Sequence, residues 1–119
     1  MTVQECYEAI GGNYEDVISR LRTDERVTRF LGKVADDGSF KLLEESLHTR
    51  NLEEAFRAAH TLKGVCMNLS LTTLGRSSEA LTEALRGRTE YGDDIMPLFE
   101  NVRRDYETMV SAIRMLQNQ

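Results

Sequence analysis

The sequence predicts an all-α fold: an up-down antiparallel four-helix bundle with additional short N-terminal helices. Three observations carry that expectation. Runs of β-branched residues are few, and the 119 residues include one proline and no tryptophan. Apolar residues recur at i, i+3, i+4 and i+7 through most of the chain, the period of an amphipathic helix. The polar breaks between these segments are short, and short connections between long helices make them antiparallel neighbours. A chain of 119 residues suits one domain with one core. Residues 1–22 read as an N-terminal helical extension and 23–119 as the bundle.

Taken in order, Thr2 to Ile10 form a short helix stopped by Gly11-Gly12. Asn13 caps a second helix, with Glu15 and Asp16 in its first turn and Val17, Ile18 and Leu21 on its apolar side. Thr23, followed by Asp24 and Glu25, starts a third, whose apolar face is Val27, Phe30, Leu31 and Val34. Asp36-Asp37-Gly38-Ser39 is a turn, and Ser39 is expected to cap a fourth helix bearing Phe40, Leu43 and Leu47. After the break His48-Thr49-Arg50-Asn51, Asn51 and Glu54 make a capping-box-like start to a fifth helix over about Leu52 to Leu69. Ser70 or Thr72 is expected to cap a sixth, which carries Leu74, Leu81 and Leu85 and ends near Arg86-Gly87-Arg88. Tyr91-Gly92-Asp93-Asp94 is a polar break. Pro97 sits in the first turn of the last helix, where its missing N–H is tolerated. That helix shows Leu98, Val102, Tyr106, Met109, Ile113 and Leu116 on one side.

Composition narrows the function. With 40% hydrophobic and 29% charged residues the chain has the make-up of a folded protein rather than a disordered one. A formal net charge of −5 disfavours a general nucleic-acid binder, which needs a clustered basic surface. Arg86, Arg88, Arg103 and Arg104 read as surface charges against that acidic background. No apolar run approaches the roughly 20 residues of a membrane span. The two cysteines, Cys6 and Cys66, lie far apart without CxxC spacing, which fits unpaired thiols in a reducing, cytoplasmic setting. No metal site is expected: His60 and Cys66 fall on different faces of their helix, and no further Cys/His pair lies nearby. His48 reads as a solvated helix-end residue.

The fifth helix is the informative one. At about 100° per residue, Leu52, Ala55, Ala59, Leu62, Cys66 and Leu69 share the stripe that must be buried. His60 points well away from that stripe, and Arg57 and Gly64 lie almost opposite the core. Lys63, Phe56 and Met67 lie on the same flank as His60. A mid-helix glycine costs about 1 kcal/mol relative to alanine, so Gly64 in a helix with no turn to make suggests a need for close access. An exposed imidazole is a competent nucleophile, but no serine, cysteine or carboxylate stands at a spacing that makes a local triad. The ammonium at i+3 favours an anionic group, and phosphoryl transfer depends largely on positioning and electrostatics. The arrangement therefore suits a temporary phosphoryl carrier, with Phe56, Arg57 and Met67 as a rim that a docking partner could bury. No Gly-rich nucleotide loop is present, so no kinase or ATPase activity is expected of the chain itself.

The stretch Ala59-His60-Thr61-Leu62-Lys63-Gly64 resembles the motif of histidine-containing phosphotransfer (HPt) domains, commonly Ala-His-x-Leu-Lys-Gly. The resemblance implies a phosphorelay intermediate, with His60 phosphorylated on its outer ring nitrogen. Lys63 would neutralise the phosphoryl oxygens, and Gly64 would leave room for the partner's active site. It implies as partners response-regulator receiver domains or a hybrid histidine kinase, with no cofactor on this chain and Mg²⁺ on the receiver. Family members often place a polar residue on the following helix near the histidine. Thr82 is the nearest match, and Arg86 one turn later could add positive charge. Ser70 stands where the family often has glycine, and Met67 where a small residue is usual. A monomer is expected. Two other readings stand beside this one. In the first, the chain is the phosphoacceptor module of a larger histidine kinase, followed by a nucleotide-binding region. In the second, it is a helical adaptor that binds a partner through the Phe56/Met67 patch without phosphoryl chemistry.

Overall fold

A computed structural model describes all residues from Met1 to Gln119. Seven α-helices follow one another without a strand: α1 (Val3–Ile10), α2 (Tyr14–Leu21), α3 (Asp24–Ala35), α4 (Ser39–His48), α5 (Leu52–Asn68), α6 (Thr72–Leu85) and α7 (Ile95–Gln117). Consecutive helices from α4 to α7 pack on one another and form the bundle, while α1 and α3 lie against α7. No helix is long and apolar enough to cross a membrane.

Most helix starts follow local chemistry. The side chains of Asn13, Thr23 and Asn51 accept the N–H three residues on, and Thr2 with Glu5 forms a complete capping box. At α5 only half of the box is made. Asn51 accepts from the Glu54 N–H at 3.1 Å, while the Glu54 carboxylate reaches forward to Arg57. Two expected caps fail. Ser39 is already inside α4, and its N–H is taken by the Asp37 carboxylate at 2.8 Å. The residue before α6 is Leu71, whose side chain caps nothing; Ser70 is turned into the left-handed region at φ 56° and Thr72 is the first helical residue. Leu71 wins that position because burying it (2% exposed) outweighs a side-chain cap.

The core is continuous through all seven helices. The predicted stripe of α5 is buried throughout, from Leu52 to Leu69, and Ala58 joins it. On α7, Val102, Met109, Ile113 and Leu116 are buried, with Ile95 and Phe99 beside them; Leu98 and Tyr106 are only partly covered. Phe40 of α4 stacks between Phe99 and Tyr106, with centroids 5.6 and 4.1 Å away, and so ties the first bundle helix to the last. Phe30 departs from expectation. It is 38% exposed, with the Lys33 ammonium over its ring, because Val27, Leu31, Val34 and Ala35 already fill the α3 face.

The N-terminal extension is fastened to the α5–α6 turn. The Tyr7 hydroxyl donates to the Leu69 carbonyl at 2.8 Å, and the Asn13 N–H to the Ser70 carbonyl at 2.8 Å. Arg20 of α2 donates to the Asn68 carbonyl at 2.7 Å and to Ser70 Oγ at 2.8 Å, filling acceptor sites that a helix end leaves open. Asp16 receives the Ser70 hydroxyl and pairs with Arg20, and these two bonds hold its carboxyl below the usual range. A left-handed serine costs about 1–2 kcal/mol. Here Ser70 is buried and bonded to both Asp16 and Arg20, which explains how a side chain is kept where a glycine would be unstrained.

Candidate functional site

Residues 52 to 68 are helical because an alanine-rich stripe buries against α4 and α6. The opposite face is left in solvent, and it carries His60. Neither ring nitrogen is tied into a hydrogen bond within the chain. One face of the imidazole lies against Phe56, one turn earlier, with centroids 5.9 Å apart and planes 13° from parallel. A Cβ built at Gly64 would meet nothing within 4 Å. No neighbour in the chain requires a glycine there, and the bare backbone opens directly to solvent one turn from the histidine.

The cations of the site come from both helices of the α5–α6 hairpin. Lys63 is half-buried, with its ammonium 3.7 Å from the Glu79 carboxylate. Arg86 holds its guanidinium 5.1 Å from the Phe56 centroid and binds Glu83 through two nitrogens, at 3.1 and 3.0 Å. Those bonds keep the Glu83 carboxyl below its ordinary value, with smaller help from the charges of Arg86 and Lys63. The chain thus gathers an imidazole, two cations and two carboxylates on one exposed face. Such a face can receive a small anionic group on the ring, with balancing charge close by.

The Hpt domain family model matches residues 27–115. The chain belongs to the Hpt domain family. Comparison with curated proteins and with solved structures returns no match. Hpt domains are phosphoryl carriers of two-component relays. The matched span covers the bundle from α3 onward and omits α1 and α2, the helices that clasp the α5–α6 turn.

The structure brings together His60, Phe56, Lys63 and Arg86. Met67 is 63% exposed two turns beyond His60 and borders a cleft of about 270 Å³ lined in part by Lys63, Arg76 and Glu79, so it widens the face without touching the ring. Arg57 is exposed and held by Glu53 at 2.6 Å and Glu54 at 3.5 Å. Thr82 is completely buried and its hydroxyl donates to the Ser78 carbonyl at 2.7 Å, so its proton is already committed within α6. The reason lies in the α6 stripe Leu74, Ser78, Leu81, Thr82 and Leu85, all buried, which places Thr82 on the core side. The sequence reading missed the residues one step round, Glu79 and Glu83, which stand at i and i+4 with Arg86 at i+7. That spacing is the signal of a shared helix face. Cys66 is packed in the core, and burial pushes its thiol up to about 12, which leaves it unreactive.

Proposed function

We propose that this Hpt domain carries a phosphoryl group on His60 and exchanges it with the aspartate of response-regulator receiver domains. The observation that supports this most is an exposed imidazole, free of intramolecular bonds, one turn from open backbone at Gly64. In the accepting direction the Nε2 lone pair forms a bond to phosphorus as the P–O bond to the receiver aspartate breaks. The aspartate leaves as a carboxylate with the electron pair, and Nδ1 keeps its proton. Lys63 and Arg86 supply positive charge to the three phosphoryl oxygens. Phe56, Arg57 and Met67 form the rim that the receiver covers, and Gly64 admits its active-site edge. Mg²⁺ belongs to the receiver, which supplies the catalysis; the Hpt chain is substrate and carrier. A hybrid histidine kinase carrying a receiver would serve equally as donor.

The test is incubation with receiver domains charged by acetyl phosphate in Mg²⁺ buffer, reading acid-labile phosphate on the Hpt chain. Wild type should label and His60→Gln should not. Label that persists in the variant would overturn the assignment. So would a wild type that binds receivers but never labels, which is the adaptor outcome.

A further inference from the structure

Both cations that the proposed transfer needs are already engaged when His60 carries nothing. Lys63 sits 3.7 Å from Glu79, and Arg86 is held by Glu83 through two bonds. Glu79 and Glu83 are one turn apart on α6, and neither is called for by the core: both are exposed. The four charges around the imidazole therefore balance before transfer. A phosphoryl group on Nε2 brings up to two negative charges into a face that already holds two carboxylates, and it competes with them for the same ammonium and guanidinium.

The two acids are not equivalent. Glu83 binds Arg86, the residue just past the end of α6 and three residues away, with good geometry. Glu79 reaches across the hairpin to Lys63 on α5, one turn from His60, at a distance too long for a hydrogen bond. That contact is loose enough to exchange. Lys63 is also half-buried, so its ammonium has few directions in which to move.

We infer that Glu79 is a positioning residue for phosphoryl transfer: it holds the Lys63 ammonium on α6 until a phosphoryl group on His60 takes it over, and so lowers the hold of His60 on phosphate. The inference rests on the proposed role of His60. In the empty state Lys63 pairs with Glu79; in the loaded state Lys63 pairs with the phosphoryl oxygens and Glu79 turns to solvent. The exchange costs the phosphorylated state one ion pair. The carrier is thereby biased toward giving its phosphate up to a receiver instead of storing it.

The experiment is a phosphoryl partition at equilibrium between this domain and one receiver domain that labels it, charged with acetyl phosphate and then desalted. The ratio of phospho-His60 to phospho-aspartate is read for wild type, Glu79→Gln, Lys63→Met and the double variant. Glu79→Gln should raise the ratio about two- to fivefold, the range of an exposed ion pair. The rise should shrink as salt is raised, and Glu79→Asp should stay nearer to wild type. In the Lys63→Met background, Glu79→Gln should change the ratio by much less, since the residue it acts through is gone. An unchanged ratio in Glu79→Gln, or an equal rise with and without Lys63, would overturn the inference while leaving His60 labelled. Absence of label on wild type would instead overturn the proposed function beneath it.

Discussion

Around His60 the surface of α5 is left bare, with an exposed ring and open space where a Gly64 side chain would be. Two turns on, where α5 ends, the chain is clasped: Arg20 bonds the Asn68 carbonyl, Tyr7 the Leu69 carbonyl, and Asn13 the Ser70 carbonyl. Glycine serves both places for opposite reasons. A Cβ at Gly64 touches nothing, whereas one at Gly12 would lie 2.6 Å from the Tyr7 ring and 3.0 Å from the Ser70 carbonyl oxygen. The first glycine is unnecessary to the fold and makes sense only if something outside approaches. The second is needed by the fold and has no reason to matter for transfer.

The comparison breaks most readily at Gly12. Gly12→Ala forces the ring or the α5–α6 turn to shift, and overpacking of this kind costs typically about 1–3 kcal/mol. Urea unfolding should show the loss, with the transfer rate of the folded protein little changed. An unaltered midpoint would mean that the clasp yields without strain. Gly64 should behave in reverse. Gly64→Ala adds helix propensity and should raise stability by up to about 1 kcal/mol. Gly64→Gln should remain folded yet slow transfer from a charged receiver at least about tenfold, a change near 1.4 kcal/mol in the barrier. Wild-type transfer in Gly64→Gln would remove the access argument and leave the glycine without a purpose.

Much of this contrast was legible in the chain itself, and the limits have a physical cause. His60, Lys63 and Gly64 lie on one helix, so a 3.6-residue period suffices to separate them from Leu62 and Cys66. Glu79, Glu83 and Arg86 reach the same site from α6, and which of their faces meets α5 depends on how two helices rotate about each other. Glu79 and Thr82 are only about 60° apart round α6 at 100° per residue, yet one side chain is exposed and the other completely buried. Local caps were read well where an Asn or Thr directly precedes a helix, as at Asn13, Thr23 and Asn51. They failed at Ser39 and Thr72, where a carboxylate two residues back or a buried leucine took the decisive place. The role of Arg20 was invisible, because its acceptors at Asn68 and Ser70 lie 48 and 50 residues away along the chain.

The clasp can also be sharpened through its charge. Asp16 has its carboxyl held below the ordinary range by the Ser70 hydroxyl and by Arg20. A depressed folded value means that its contribution is complete above the unfolded carboxylate value of about 3.9 and is lost as pH falls through the folded value. Asp16→Asn removes that titration. Wild type should be the more stable at neutral pH, and the gap should close as urea midpoints are taken down through pH 4 and below. The sign is set by the bonds themselves, since protonated Asp16 can accept from Ser70 and Arg20 only weakly. If the gap stayed constant with pH, Ser70 would owe its left-handed backbone to packing against Tyr7, Leu69 and Leu71. Transfer from a receiver should change far less than stability in Asp16→Asn at neutral pH, because Asp16 bonds Ser70 and Arg20 at the end of α5, two turns from His60.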